Sequence, residues 1–92
     1  MIYLRVETNR VKLKEVLASF QHGAIEGERL IAPRPLPKTD FKGYVGFACV
    51  IDGSENQKIL IAIKNHKQIE KSVFEAEVKA IDYFWESAYK SV

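Results

Sequence analysis

The stretch Tyr44-Val-Gly-Phe-Ala-Cys-Val-Ile51, the turn residues Asp52-Gly-Ser54 and the stretch Lys58-Ile-Leu-Ile-Ala-Ile-Lys64 decide how this chain is read. In the first stretch Val45, Phe47, Cys49 and Ile51 alternate with Tyr44, Gly46, Ala48 and Val50. In the second, Ile59, Ile61 and Ile63 alternate with Lys58, Leu60, Ala62 and Lys64. A period of two over branched and aromatic residues predicts strands. Asp-Gly-Ser between them predicts a tight turn. The two stretches therefore read as a hairpin whose apolar faces pair into one core face.

The segments around this hairpin fit an antiparallel sheet. Ile2, Leu4 and Val6 alternate with Tyr3, Arg5 and Glu7, which predicts a half-buried strand. Thr8 or Asn9 offers an N-cap, Gly23 offers a C-terminal stop, and Leu13, Val16, Leu17 and Phe20 recur at helical spacing between them. A helix is expected over residues 10–22. Residues 24–42 are the least regular. A short strand fits residues 28–32, and Pro33, Pro35 and Pro37 then exclude helix and central strand, predicting an extended, Pro-rich arm. Asn65-His66 marks another turn, and Gln68 to Lys71 fits a short edge strand.

Ser72-Val-Phe-Glu75 fits a capping box at the start of a last helix over residues 73–90. Phe74, Val78, Ile81 and Trp85 form its apolar stripe, while Glu75, Lys79, Asp82, Glu86 and Lys90 lie on the other side. The expected fold is α+β: an antiparallel sheet of three to five strands with two helices packed on one face, in the order β-α-(β)-β-β-(β)-α. Ninety-two residues make a single domain over 1–92, with the Pro-rich arm at about 24–42.

Composition narrows the function classes. The chain is 47% apolar and 28% charged, which is globular rather than disordered. A net charge of +2 is too mild to predict a nucleic-acid binder by itself. One cysteine excludes an internal disulfide framework. The longest apolar run, Tyr44 to Ile51, is far too short to span a membrane. The opening Met1-Ile-Tyr-Leu-Arg-Val-Glu7 lacks the basic and apolar regions of a secretory signal, so a cytoplasmic protein with no membrane partner is expected.

The reactive residues do not form a catalytic pattern. Cys49, His22 and His66 are the only soft or imidazole ligands, and none has another at metal-binding spacing. Cys49 reads as a small buried hydrophobe and His66 as a turn residue. The serines lack a nucleophile context; paired carboxylates occur at Glu75/Glu77 and Asp82/Glu86, and the latter are helical neighbours expected to face solvent. Gly43-Tyr-Val-Gly46 lacks the third glycine and the following helix of a dinucleotide loop. No enzyme activity and no cofactor or metal are expected.

Binding surfaces carry more signal. Arg10, Lys12 and Lys14 crowd the first turns of the first helix, where they oppose the macrodipole. They read either as an anion site formed with the free helix N–H groups or as a solvated basic turn offset by Glu7 and Glu15. A second group is Lys58, Lys64, Lys67 and Lys71 on the hairpin and the turn after it. Lys58 and Lys64 share the expected outer face with Tyr44, Gly46 and Ala48, a flat surface able to accept a nucleic-acid backbone or a protein. Arg29, Arg34, Lys38 and Lys42 punctuate the Pro-rich arm, which reads as an edge cover or a partner-contacting arm.

Three expected strands followed by a helix resemble two nucleic-acid-binding families. Ser72, Glu75, Ala76, Glu77 and Ala80 resemble the start of the last helix of double-stranded-RNA-binding domains. Glu77-Val-Lys-Ala-Ile-Asp82 and Gly43-Tyr-Val-Gly46 are similar to the helix and first strand of AP2-like domains, which read DNA from basic and aromatic sheet residues. That resemblance would give the sheet residues Lys58 and Lys64 the DNA contact.

The leading expectation is a small non-enzymatic protein that contacts a protein or a protein–nucleic-acid complex through Arg10, Lys12, Lys14, Lys58, Lys64 and Lys67 with Tyr44. A phage or mobile-element inhibitor of a host nucleoprotein complex, of the anti-CRISPR or anti-restriction type, fits that description. The alternative is direct nucleic-acid binding through the basic sheet face. A homodimer paired across an exposed edge, from the hairpin or Gln68 to Lys71, is also open.

Overall fold

The alternation at the start of the chain produces a strand, β1 (Ile2–Asn9), and β1 organises the sheet. The computed structural model describes residues 1–35, 43–63 and 65–90, the last three of these by main chain only. After β1 come α1 (Leu13–Ser19), β2 (Arg29–Pro35), β3 (Gly43–Val50), α2 (Glu55–Ala62), β4 (His66–Gln68) and α3 (Lys71–Lys90). The strands lie in the order β2-β3-β1-β4, and every neighbouring pair is antiparallel. The expected α+β fold with an antiparallel sheet is therefore what the chain forms.

β1 and β3 pair along their full lengths, from Ile2 opposite Val50 to Asn9 opposite Gly43. β4 lies on the other side of β1, with Leu4 opposite Gln68 and Val6 opposite His66. Both β3 and β4 run against β1, so they are parallel to each other, and α2 carries the chain from one to the other across β1.

The second strand of the expected hairpin is thus a helix. Ser54 has extended backbone and its side chain accepts the Gln57 N–H at 3.2 Å, while Gln57 Oε1 accepts the Gly53 N–H at 2.5 Å. That reciprocal cap starts α2 two residues after Asp52-Gly53, where Gly53 takes φ +84°. Helical geometry then buries Leu60 and leaves Ile61 45% exposed, the reverse of the strand expectation. Without a third consecutive strand, the strand order behind both nucleic-acid-binding resemblances is not formed.

Both sheet faces are covered. Leu4, Val6, Ala48 and Val50 pack with Val16 and Phe20 from the first helical segment and Leu60 of α2. Val45, Phe47 and Cys49 pack on the opposite face with Phe74, Val78 and Ile81 of α3. The expected apolar stripe of α3 does reach Phe47, whose ring meets Phe74 edge-on at 6.2 Å, with Tyr3 5.2 Å from Phe74 on the other side. The first and last helices, expected on one face, instead lie on opposite faces, and the structure has a third helix to complete the first cover. Gly46 belongs beneath that cover. A Cβ there would lie 3.0 Å from Phe20 Cζ, the Ile31 carbonyl oxygen and Pro33 Cδ, so the absent side chain lets these groups close over the strand.

Other boundaries shift for local reasons. α1 is shorter than the expected 10–22, because Asn9 Oδ1 accepts the Lys12 N–H at 2.9 Å and holds residues 10–12 as a turn. The helix closes at Ser19, and Gly23 adopts φ +77° in the following loop. α3 begins at Lys71, so Ser72 lies inside the helix rather than capping it. Residues 29–35 of the Pro-rich arm form edge strand β2, where Pro33 and Pro35 are tolerated because an edge leaves alternate N–H groups unused. The rest of the arm, with Leu36, Pro37, Lys38 and Lys42, lies outside the described residues. The edge strand expected at 68–71 is not formed there: β4 is His66–Gln68, sharing only Gln68 with it, it takes up His66 from the expected turn, and Lys71 already begins α3.

Candidate functional site

Two helices on one sheet face leave a groove between them. α1 and α2 flank the C-terminal end of β1, and between them lies an open cavity of about 640 Å³. Val16 of α1, Ile59 and Ala62 of α2 and Ile63 supply apolar walls. Glu7, Thr8 and Asn9 of β1, Lys12, Glu15, Ser19 and Asn65 supply the polar lining. Asn65 takes a left-handed φ of +69°, which asparagine tolerates better than most residues, and its carbonyl accepts the Glu7 N–H at 3.1 Å. This turn ends the groove and directs the chain into β4.

The electrostatics of the groove are mixed. By strand alternation the Glu7 side chain belongs to the α3 side, where it is ion-paired with Arg5, whose Nε is also 3.5 Å from Glu77 Oε2. Lys12 and Glu15 line the groove without an ion-pair partner among the described residues. The groove therefore offers one unpaired cation and one unpaired carboxylate beside its apolar walls.

The structure separates the residues expected to form one basic surface. Arg10, Lys12 and Lys14 stay together, all exposed, in the turn before α1 and in its first turn. α1 has only seven residues, and the N–H of its N-cap residue Lys12 is held by Asn9. The cations remain, with Val11 90% exposed between two of them. Tyr44 is half-buried on β3, opposite Thr8 of β1 and Pro35 of β2, so it adjoins the same end of the sheet.

Lys58 is exposed on α2 and shares no sheet face with Tyr44. Lys67 stands opposite Arg5 in β4, and by strand alternation its side chain belongs to the α3 side, away from the groove. Lys64 lies outside the described residues. The basic sheet face is thus overturned as a binding platform: Gly46 and Ala48, expected at its centre, are buried beneath helices.

The groove walls of α2 escaped the sequence reading for one reason. Ile59, Ala62 and Ile63 are spaced i, i+3, i+4, a helical face, and Ser54-x-x-Gln57 is the cap that announces it. The strand alternation of the same isoleucines masked both signals.

The other candidate chemistry is also placed. Cys49 is 8% exposed beneath α3, as a small buried hydrophobe is expected to be. Burial, with Cys49 adjacent, raises the Tyr3 hydroxyl above its ordinary value. His22 and His66 are exposed, and His66 Nδ1 lies 3.2 Å from the Ile63 carbonyl. Among the described residues, no three His, Cys, Asp or Glu side chains gather as a metal site. Among them, too, no helix is long and apolar enough to cross a membrane. No protein-family model matches the chain, and no curated protein or solved structure matches it either.

Proposed function

We propose that this chain is a non-enzymatic binding protein that docks a partner protein, alone or within a protein–nucleic-acid complex, through the α1–α2 groove and the basic turn beside it. The observation that carries this reading is the juxtaposition of a groove of about 640 Å³, in which Val16, Ile59, Ala62 and Ile63 face a polar remainder, with Arg10, Lys12 and Lys14. An apolar anchor from the partner fills the groove against Val16, Ile59 and Ile63. Acidic groups around that anchor meet the three cations. Val11, held out between Arg10 and Lys12, adds an apolar contact of its own. Anchors in desolvated pockets supply most binding energy, and rim charges mainly set encounter rate and partner choice.

Such a protein acts by occupying a surface of its partner. That is the working mode of a steric inhibitor, including a phage or mobile-element inhibitor of a host nucleoprotein complex of the anti-CRISPR or anti-restriction type. No bond is made or broken, and no cofactor is required.

The test is recovery of partners from the source cells or their natural host, with and without nuclease. It compares the natural chain with Ala62→Arg, which fills the groove, and with the triple reversal Arg10→Glu, Lys12→Glu, Lys14→Glu. A protein that survives nuclease and is lost by about tenfold or more with either variant supports the reading. Undiminished recovery by both variants overturns it. Recovery that collapses with nuclease, and weakens steeply with salt, assigns the basic turn to nucleic acid instead.

A further inference from the structure

α3 extends a second surface on the opposite side of the molecule. Phe74, Val78, Ile81 and Trp85 face the sheet, and Tyr83 points away from it with 71% of its surface exposed. Tyr83 forms one border of a shallow hollow of about 510 Å³ between α3 and the start of β2, which Arg29, Val78, Lys79, Asp82 and Glu86 also line. A projecting aromatic side chain on the border of a hollow with room for a second such ring suits an isologous contact: each copy carries both the knob and the socket.

The charges of this face fit a second copy. Glu75, Lys79, Asp82 and Glu86 follow one another at spacings of four, three and four residues, so they lie in one seam along the helix. Arg34 Nη1 pairs with Asp82 Oδ1 at 2.8 Å. Arg29, Lys79, Glu75 and Glu86 have no ion-pair partner among the described residues. Two cations thus balance two carboxylates, and a copy of the same face is not repelled. An antiparallel pairing of two α3 helices, with the axis between positions 82 and 83, sets Lys79 against Glu86 of the second copy and Glu86 against its Lys79. The same register brings Tyr83 over the hollow of the second copy, between the cations Arg29 and Lys79, where its ring face attracts positive charge.

We propose that two copies of this chain associate through α3 about a two-fold axis, with Tyr83 of each seated in the hollow of the other and Lys79 paired with Glu86 across the axis. The surface is remote from the α1–α2 groove, so the dimer does not rest on the function proposed for that groove and leaves the groove open in both copies.

Sedimentation equilibrium on the full chain tests this, with circular dichroism to verify that each variant is folded. Tyr83→Ala is expected to raise the dimer dissociation constant by about tenfold or more. Lys79→Glu sets two carboxylates against each other on both sides of the axis and is expected to weaken the dimer similarly, and Lys79→Glu with Glu86→Lys is expected to restore it. A chain that stays monomeric up to about 1 mM overturns the proposal. So does a dimer indifferent to both single variants, or an open-ended series of larger species. Because Tyr83, Lys79 and Glu86 are exposed, folding survives their replacement and every outcome is readable.

Discussion

Glu28 uses both carboxylate oxygens to hold three segments together. Oε2 accepts the Ile51 N–H at 2.8 Å, while Oε1 accepts the Ile25 N–H at 3.2 Å and the Asn56 side-chain amide at 2.8 Å. The same amide donates to the Gly23 carbonyl at 3.0 Å. The loop after α1 is thereby tied to the end of β3 and the first turn of α2. Burial pushes the Glu28 carboxyl up, but hydrogen bonds from Ile51, Asn56, Ser54 and Ile25 outweigh it and hold the group below its ordinary value of 4.5. A lowered folded value means that the folded state binds fewer protons than the unfolded chain. The stability from Glu28 is therefore complete above pH about 4.5 and is lost as pH falls through the lower folded value. Glu28→Gln keeps the shape but brings N–H donors to face N–H donors. It is expected to cost about 1–3 kcal/mol in urea unfolding at neutral pH. It is also expected to flatten the loss of stability on acidification, and an acid profile as steep as that of the natural chain would show that other carboxylates govern it.

At the scale of the element, α2 is where local signals conflicted. Strands β1 and β3 and helix α3 were legible because their apolar periodicity runs over many residues and agrees with their boundaries. In residues 58–64 every second position from Ile59 to Ile63 is isoleucine, and a helix over the same residues also presents Ile59 and Ile63 on one side. Isoleucine favours strands, yet the Ser54–Gln57 cap and the burial of Leu60 decide for the helix. The basic turn of the candidate site was legible because charge is read directly from sequence. The groove was not, because it exists only where α1 and α2 meet across a sheet. One comparison separates the two readings of this segment. Leu60→Ala is expected to cost about 2–5 kcal/mol, as for a filled core position. Ile61→Lys is expected to change stability by less than about 0.5 kcal/mol, as for a surface position. A strand would reverse the order, and denaturant unfolding of the two variants reads it.

At the scale of the whole molecule, the two sheet edges are unlike. β2 closes its edge with Pro33 and Pro35, which offer no N–H to another chain. β4 has three exposed residues. The Glu7 N–H to Asn65 carbonyl and Ile69 N–H to Tyr3 carbonyl bonds fix its phase: odd positions bond inward to β1, and His66 and Gln68 direct their main-chain groups outward. Hydrogen exchange is expected to be slower at the Lys67 amide than at His66 and Gln68, and equal rates at all three would mean that β4 is not held on β1. The placement of β1 between β3 and β4 also has a consequence for synthesis. During translation residues 2–9 emerge before both of their partners, so one edge of their strand waits for residues 43–50 and the other for residues 66–68. The centre of the finished sheet is the part of the nascent chain that stays unpaired longest, and its alternating Ile2, Leu4 and Val6 are what a ribosome-associated chaperone would find exposed.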